Sequence, residues 1–366
     1  MIYLNKELML FSLIYSDIFQ GKYPIPKLSH NILYKLFFYS LDKEQNIFKL
    51  DRISLRKIIL KSLCILKLEN HRIKIEKIIE NTISYFLSEE GILNLEKLKN
   101  RVEKEFQICK KENIKYIGYF SKNYPKNLKK LKDPPFIIFY KGCFPSDEEL
   151  EKSLAIIGSR KTEKKYGREV AREMGRLLAQ NNWWNISGLA LGCDKYGHIG
   201  SLEGNGKTGA ILGQGLAIPI YPKENRVLSK KILKTNGFLM SELPPTVSNL
   251  SLFFILRNRL QSGITQGIFV VQTGRSGGAL HTIKYSLKQG RKTIIWDPID
   301  IKGLKDADEV LGNRILIENR KDKLGVIIGK DLRKKILKIK RAKEIFQILD
   351  KKSIKKERVF HNKTLF

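Results

Sequence analysis

"LAIIGSRKTEKKYGREVAREMGRLL", residues Leu154–Leu178, sets a short apolar run against a glycine, follows it with Ser159, Arg160 and Lys161, and continues with a helical period. A strand that turns sharply into a helix is the opening unit of a layered α/β sheet, with the helix N-terminus facing outward at the strand's carboxyl end. Gly158 lets the backbone turn tightly, Ser159 can donate to a phosphate oxygen, and Arg160 can clamp one through two N–H groups. Neither a GxxxxGK[ST] nor a GxGxxG spacing is present, so the stretch reads as a phosphate-facing turn without naming the phosphate.

Outward from this turn, apolar runs and helical segments alternate. The pattern predicts strands at 154–157, 183–187, 209–212, 238–241, 267–272 and 292–296, with helices at 164–181, 194–203, 226–236 and 278–289. Such alternation implies an α/β fold with a mainly parallel, doubly wound sheet covered on both faces. Upstream, Asp133-Pro134-Pro135 stops any helix before the strand-like "FIIFYKG". Residues 1–112 read as a helical N-terminal domain. "NRVEKEFQICKKENI" carries Val102, Phe106 and Cys109 on one stripe, and "IKIEKIIENTISYFL" shows another. "LMLFSLIYS", between Glu7 and Asp17, reads as a buried helix and not as a secretion signal. Residues 113–310 form the α/β domain, and 311–366 a basic tail in which "KDLRKKILKIKRAKEIFQILDKKSIKKERVF" is expected to be an amphipathic helix with a ragged end.

Composition narrows the partner. The 366 residues carry a formal net charge of +32, which attracts polyanions, nucleic acid first among them. No apolar run approaches the roughly 18 residues of a membrane span, so no membrane partner is expected. Cys64, Cys109, Cys143 and Cys193 lie far apart without a CxxC, consistent with reduced thiols in a cytoplasmic protein. The five histidines form no HExxH, so neither a metal nor a cofactor is expected.

The informative residues stand at the carboxyl ends of the strands. After Gly158–Lys161 come Ser187-Gly188 in "SGLALGCDKYGH", where Asp194 can cap the next helix and His198, four residues on, can pair with it. "GQG" in the next loop lacks the third glycine of a dinucleotide fingerprint, and Lys223, Asn225 and Arg226 follow it as phosphate partners. Arg257 and Arg259, two apart on a helix, point in different directions, so one is expected to brace the loop internally. Ser276-Gly277-Gly278 opens a helix with unobstructed amides, a second anion nest. Glu242 reads as a structural acid, and Tyr221, Phe253 and Phe254 as core aromatics, though each could stack a base. No carboxylate pair and no nucleophile–base set falls on these loops, so the pocket is expected to hold a phosphate backbone without cleaving it.

"IIGSRKTEKKYG", "SGLALGCDKYGH", "GAILGQGLAIPIYPKENR", "SELPP", "RNRLQSGIT" and "RSGGALHTIKYSLKQGR" occur in an order and spacing that resemble the DNA-processing protein DprA (Smf) family over roughly residues 115–300. The resemblance implies an extended Rossmann-like domain that binds single-stranded DNA, usually as a homodimer, and helps load RecA recombinase onto it during uptake or recombination of DNA. It places the DNA-contacting basic residues at Arg160 and Lys223, with Ser187, Gly188, Arg257 and Ser276-Gly277-Gly278 shaping the pocket. The sequence departs from the family pattern at Leu191, Cys193, Gln261, Ser262 and Asp297-Pro298. Two other readings share the glycine-rich loops: a phosphoribohydrolase acting on nucleoside monophosphates, and a nucleotide sensor. The first uses a glutamate in its PGGxGTxxE loop, whereas Tyr285 and Ser286 stand in this region.

Overall fold

The apolar runs pair into one sheet. The computed structural model describes residues 89–162, 165–301, 307–320 and 324–349, together with 8, 9, 12, 13, 16, 17 and 20. Its strands are β1 (Lys115–Gly118), β2 (Ile137–Gly142), β3 (Ser153–Ile157), β4 (Trp184–Ser187), β5 (Thr208–Ile211), β6 (Phe238–Ser241), β7 (Gly267–Val270), β8 (Lys292–Trp296) and β9 (Ile336–Ile339). The longer helices are α1 (Glu89–Lys111), α2 (Lys165–Gln180), α3 (Cys193–Glu203), α4 (Arg226–Lys234), α5 (Ser251–Ile264), α6 (Gly278–Lys288) and α7 (Asp308–Ile317). Every predicted strand and helix of the α/β region is present, with ends shifted by one or two residues.

The strand order is β1-β2-β6-β5-β4-β3-β7-β8-β9. From β6 across to β9 all pairs are parallel, and β2 and β1 add an antiparallel margin. Chain direction across the sheet reverses at β3, whose neighbours are β4 on one side and β7 on the other, and this is where a crevice opens in a doubly wound fold. Strand periodicity divides β3 between two cores. Leu154 and Ile156 pack with Ala171, Met174 and Leu178 of α2, while Ala155 and Ile157 pack with Leu280, Ile283 and Leu287 of α6. A strand buried on both faces reads as a continuous apolar run, as "LAII" does.

Of residues 1–112, expected as a helical domain, 89–112 and seven residues near the N-terminus are described. Leu98, Val102 and Cys109 of α1 bury against Leu8, Met9 and Leu13, and the same cluster reaches Leu189 behind the strand-end loops. Arg101 of α1 pairs with Asp17 at 2.9 Å, and the Ser12 hydroxyl donates to the Glu242 carbonyl. The stripe expected over 73–87 and Cys64 lie outside the described residues.

The C-terminal stretch departs from expectation. In place of one amphipathic helix from 330, a single helical turn (Lys330–Arg333) leads into β9, a 3-10 turn (Ala342–Glu344) and a last turn of helix (Ile345–Leu349). The open edge of β8 supplies backbone partners for Ile336–Ile339, and Ile339, Ala342 and Ile345 join the α2-side core. The boundary expected at 310 falls within α7, whose Val310 and Leu316 are buried in the two cores.

Candidate nucleic-acid interface

A cavity of about 580 Å³ opens at the carboxyl ends of β3 and β7. Its near wall is the 158–161 loop. There the Ser159 amide donates to the Gln272 carbonyl (2.9 Å) and the Ser159 carbonyl accepts from the Cys193 amide (3.2 Å). The Ser159 hydroxyl accepts from the Lys161 amide and donates to its carbonyl, closing a small turn. Gly192 has φ +76°, and a side chain there would stand 2.2 Å from the Ser159 carbonyl oxygen, so the loop's packing requires glycine. Arg160 and Lys161 are left exposed on the wall of the cavity.

The far wall is the start of α6. Gly277 has φ +134°, and neither Gly277 nor Gly278 has an atom within 4 Å of where a β-carbon would sit. With Ser276 they present a helix N-terminus to the cavity without side-chain cover, a geometry that favours an anion.

Arg257 lines the cavity from α5 and is 5% exposed. Its guanidinium lies against Gly188, and neither Nε nor Nη1 finds a hydrogen-bond partner within the protein. Burial, opposed by Asp194 and reinforced by the charge of Arg160, brings its pKa down to about 10. It therefore stays charged at neutral pH. Burial pushes the Asp194 carboxyl up, against the pull of Arg257 and of the Gly188 amide, which donates to Oδ2 at 3.0 Å.

Arg259, two residues along the same helix, faces the other way. Nη1 and Nη2 grip the two Glu242 oxygens at 2.6 Å each, and Nε donates to Asp133 at 3.0 Å. It is the expected internal brace, and Glu242 is the structural acid expected.

Several residues read as ligand contacts are bonded within the loops or stand outside the cavity lining. The Ser187 hydroxyl donates to the Ile156 carbonyl at 2.6 Å, and Ser187 and Gly188 back the cavity without lining it. Asn225 is fully buried and ties the loop by donating to the Leu189 and Ala190 carbonyls. Lys223 is exposed on a 3-10 turn outside the cavity lining. Asp194 and His198 do not pair, and the cap position of α3 is Gly192. His198 Nδ1 lies 2.7 Å from the Thr208 hydroxyl, which itself donates to the Asn185 carbonyl, so the shared proton belongs to Nδ1. A helical i, i+4 spacing was outbid by a neighbour on β5. The aromatics also divide: Phe253 is core, but Tyr221, 50% exposed, and Phe254 line the cavity with ring centroids 5.5 Å apart. Val326, which reaches the cavity after α7, carries no sequence signal for doing so.

Taken together, a parallel sheet reversing at β3, a cationic floor and open helix amides give a Rossmann-like fold with a basic cavity at its switch point. A family model for DNA recombination-mediator protein A matches residues 115–324. The Smf protein of Borreliella burgdorferi is 36% identical over 215 residues, 58% of this chain and 67% of that protein. Two solved structures share the fold. DprA from Streptococcus pneumoniae aligns with a TM-score of 0.60 and 22% identity, covering 91% of this chain and 97% of that one. DprA from Helicobacter pylori, described for its single-stranded DNA binding mode, aligns with a TM-score of 0.52 and 21% identity, covering 65% and 96%. The chain belongs to the DNA recombination-mediator protein A family.

Proposed function

We propose that the chain binds single-stranded DNA in this cavity and acts as a recombination mediator, holding the strand intact for RecA while working as a homodimer. The observation that carries the reading is the Arg257 guanidinium, buried yet with Nε and Nη1 unpaired beside an uncovered helix N-terminus. Buried donors without partners are costly in a folded protein unless something arrives to accept from them. Arg160, Lys161 and the 276–278 amides take phosphate oxygens at the walls, Lys223 adds charge outside, and Tyr221 with Phe254 offers a face to a base. Ser159, Gly158, Ser187, Gly188 and Asn225 hold the loops in place. Among the described residues of the lining, Asp194 is the one carboxylate, and it is committed to Arg257 and the Gly188 amide, which supports a binding role over an acid–base one. Among the described residues no helix is long and apolar enough to cross a membrane.

The test is a titration against labelled oligothymidine and the matching duplex, at low and moderate salt, beside Arg160→Ala. Preference for the single strand, lost in the variant, supports the assignment; equal and purely salt-driven binding to both overturns it. Cleavage of nucleoside monophosphates would instead favour the hydrolase reading. Sedimentation of the free protein and RecA filament assembly on protein-coated single strands test the dimer and the partner.

A further inference from the structure

The loop that brings Tyr221 to the cavity leads directly into a helix whose exposed face is cationic. Past Tyr221 the chain makes the 3-10 turn that carries Lys223 and enters α4, which starts at the carboxyl edge of the sheet and descends to the start of β6. Leu228, Ser229 and Ile232 turn inward and are buried. The exposed positions are Arg226, Val227, Lys230, Lys231 and Lys234. At about 3.6 residues per turn they fall on one contiguous arc of the helix. All but Val227 are cations, and the one acid between residues 223 and 234 is Glu224, on the turn before the helix.

The fold does not neutralise these charges. Among the described residues, none of Lys223, Arg226, Lys230, Lys231 and Lys234 is ion-paired. Glu203, at the end of the neighbouring α3, is taken by Arg172 and by Arg176 of α2, the latter at 2.9 Å. Lys223 and Arg226 also stand at the unfavourable end of α4. The N-terminus of a helix is its positive pole, where acids are stabilising, and the first turn of α4 holds none. Arg226 Nε donates to the Ile220 carbonyl at 3.1 Å, which keeps the guanidinium at that pole. A polyanion laid along the helix relieves both the mutual repulsion of the cations and their conflict with the helix dipole.

We propose that a single strand held in the cavity leaves it past Tyr221 and Lys223 and follows the exposed face of α4, where Arg226, Lys230 and Lys234 meet its phosphates in turn and Lys231 flanks them. The proposal rests on the single-strand reading of the cavity. Residues four apart on a helix are separated by about 6 Å along its axis, and alternate phosphates of a stacked strand by about 6.8 Å, so the three cations match every second phosphate. From Arg226 to Lys234 the helix rises about 12 Å, the length of roughly three to four nucleotides. A strand of about four nucleotides, roughly 14 Å long, is therefore held by the cavity alone, whereas one of about twelve, roughly 41 Å long, occupies both surfaces.

The experiment titrates oligothymidines of these two lengths, over a range of salt, against the full chain and its variants. Lys230→Gln/Lys231→Gln/Lys234→Gln removes the stripe, and glutamine is a good helix former, so α4 is retained. Lys230→Arg/Lys231→Arg/Lys234→Arg keeps the charge. Lys330→Gln/Lys335→Gln/Lys343→Gln removes the same charge from exposed positions around β9, on the other wing of the sheet. The stripe variant is expected to lower the long-strand salt slope by about 2.1, three phosphates at about 0.7 each, and to leave the short strand unchanged. At about 0.1 M salt that slope corresponds to a roughly hundred-fold loss of long-strand affinity. The arginine and β9 variants keep the parental slope. An unchanged slope in the stripe variant, a matching fall in the β9 variant, or equal loss for both lengths overturns the path along α4. Insensitivity of the short strand to Arg160→Ala overturns the cavity reading instead.

Discussion

The Arg257 guanidinium lies so close to the α-carbon of Gly188 that a methyl group there would stand 1.8 Å from Nη1. Gly188→Ala must therefore displace the arginine or the loop. The expected result is at least a ten-fold loss of single-strand affinity, together with destabilisation of about 1–3 kcal/mol from overpacking. Titration and thermal unfolding of the same preparation check both; a variant that binds normally would separate Arg257 from DNA.

Arg160 and Lys223 differ in position, and the salt dependence should reveal it. Arg160→Ala is expected to weaken every sequence alike and to reduce the salt slope by about 0.7, the increment for one phosphate on a single strand. Lys223 lies outside the cavity lining, so Lys223→Ala should reduce the slope of long strands more than that of short ones. Parallel slopes for both variants at both lengths would contradict that arrangement.

The Arg259–Glu242 pair serves stability. Both side chains are buried, at 2% and 7% exposure. Arg259→Met strands a buried carboxylate and should cost about 3–5 kcal/mol in denaturant unfolding. Replacing both, as Arg259→Met/Glu242→Met, should recover much of that loss, because two apolar side chains carry no desolvation penalty.

His198 sets an acid limit. Burial, with the charge of Arg257 adding to it, lowers its pKa to about 3, whereas an unfolded histidine titrates near 6.5. Between these values the unfolded chain binds a proton that the folded chain refuses. The contribution is thus complete above about pH 6.5 and is lost as pH falls toward 3, with a slope approaching about 1.4 kcal/mol per pH unit. Denaturant unfolding between pH 5 and 6.5, above most carboxylate titrations, should show this slope. His198→Gln should flatten it, and an unchanged slope in that variant would remove His198 from the account.

The strand ends were legible because glycine and apolar runs speak for the backbone. "LAII" before Gly158 and "GIFV" before the 273–278 loop could hardly be anything but buried parallel strands. The division of labour between Arg257 and Arg259 also followed from helical geometry. Asn225 and Ser187 were harder to read, because a polar residue beside a ligand and a polar residue bracing a loop have the same sequence signature; the structure shows them bonded to loop and strand carbonyls. Asp194 and His198 met other partners for the same reason. In "ILKIK" apolar and basic residues alternate within a helical context, and an open strand edge decided the outcome. Tyr221 and Phe254 are counted as core by composition, yet the loop after β5 brings Tyr221, and the first turn of α5 brings Phe254, to the cavity.

The register of β3 has a consequence for the order of assembly. Leu154 pairs with Gly267, more than a hundred residues further along the chain. During synthesis, β4, β5 and β6 emerge early and can align with β3, while its other edge waits unpaired for β7. Non-local pairing of this kind is slow, and an unpaired apolar edge invites pairing with other chains. Nascent chains halted before residue 267 are therefore expected to aggregate, and those released after β7 to be protected. The strand at which the finished sheet reverses direction is flanked on both sides only after one wing of the protein already exists.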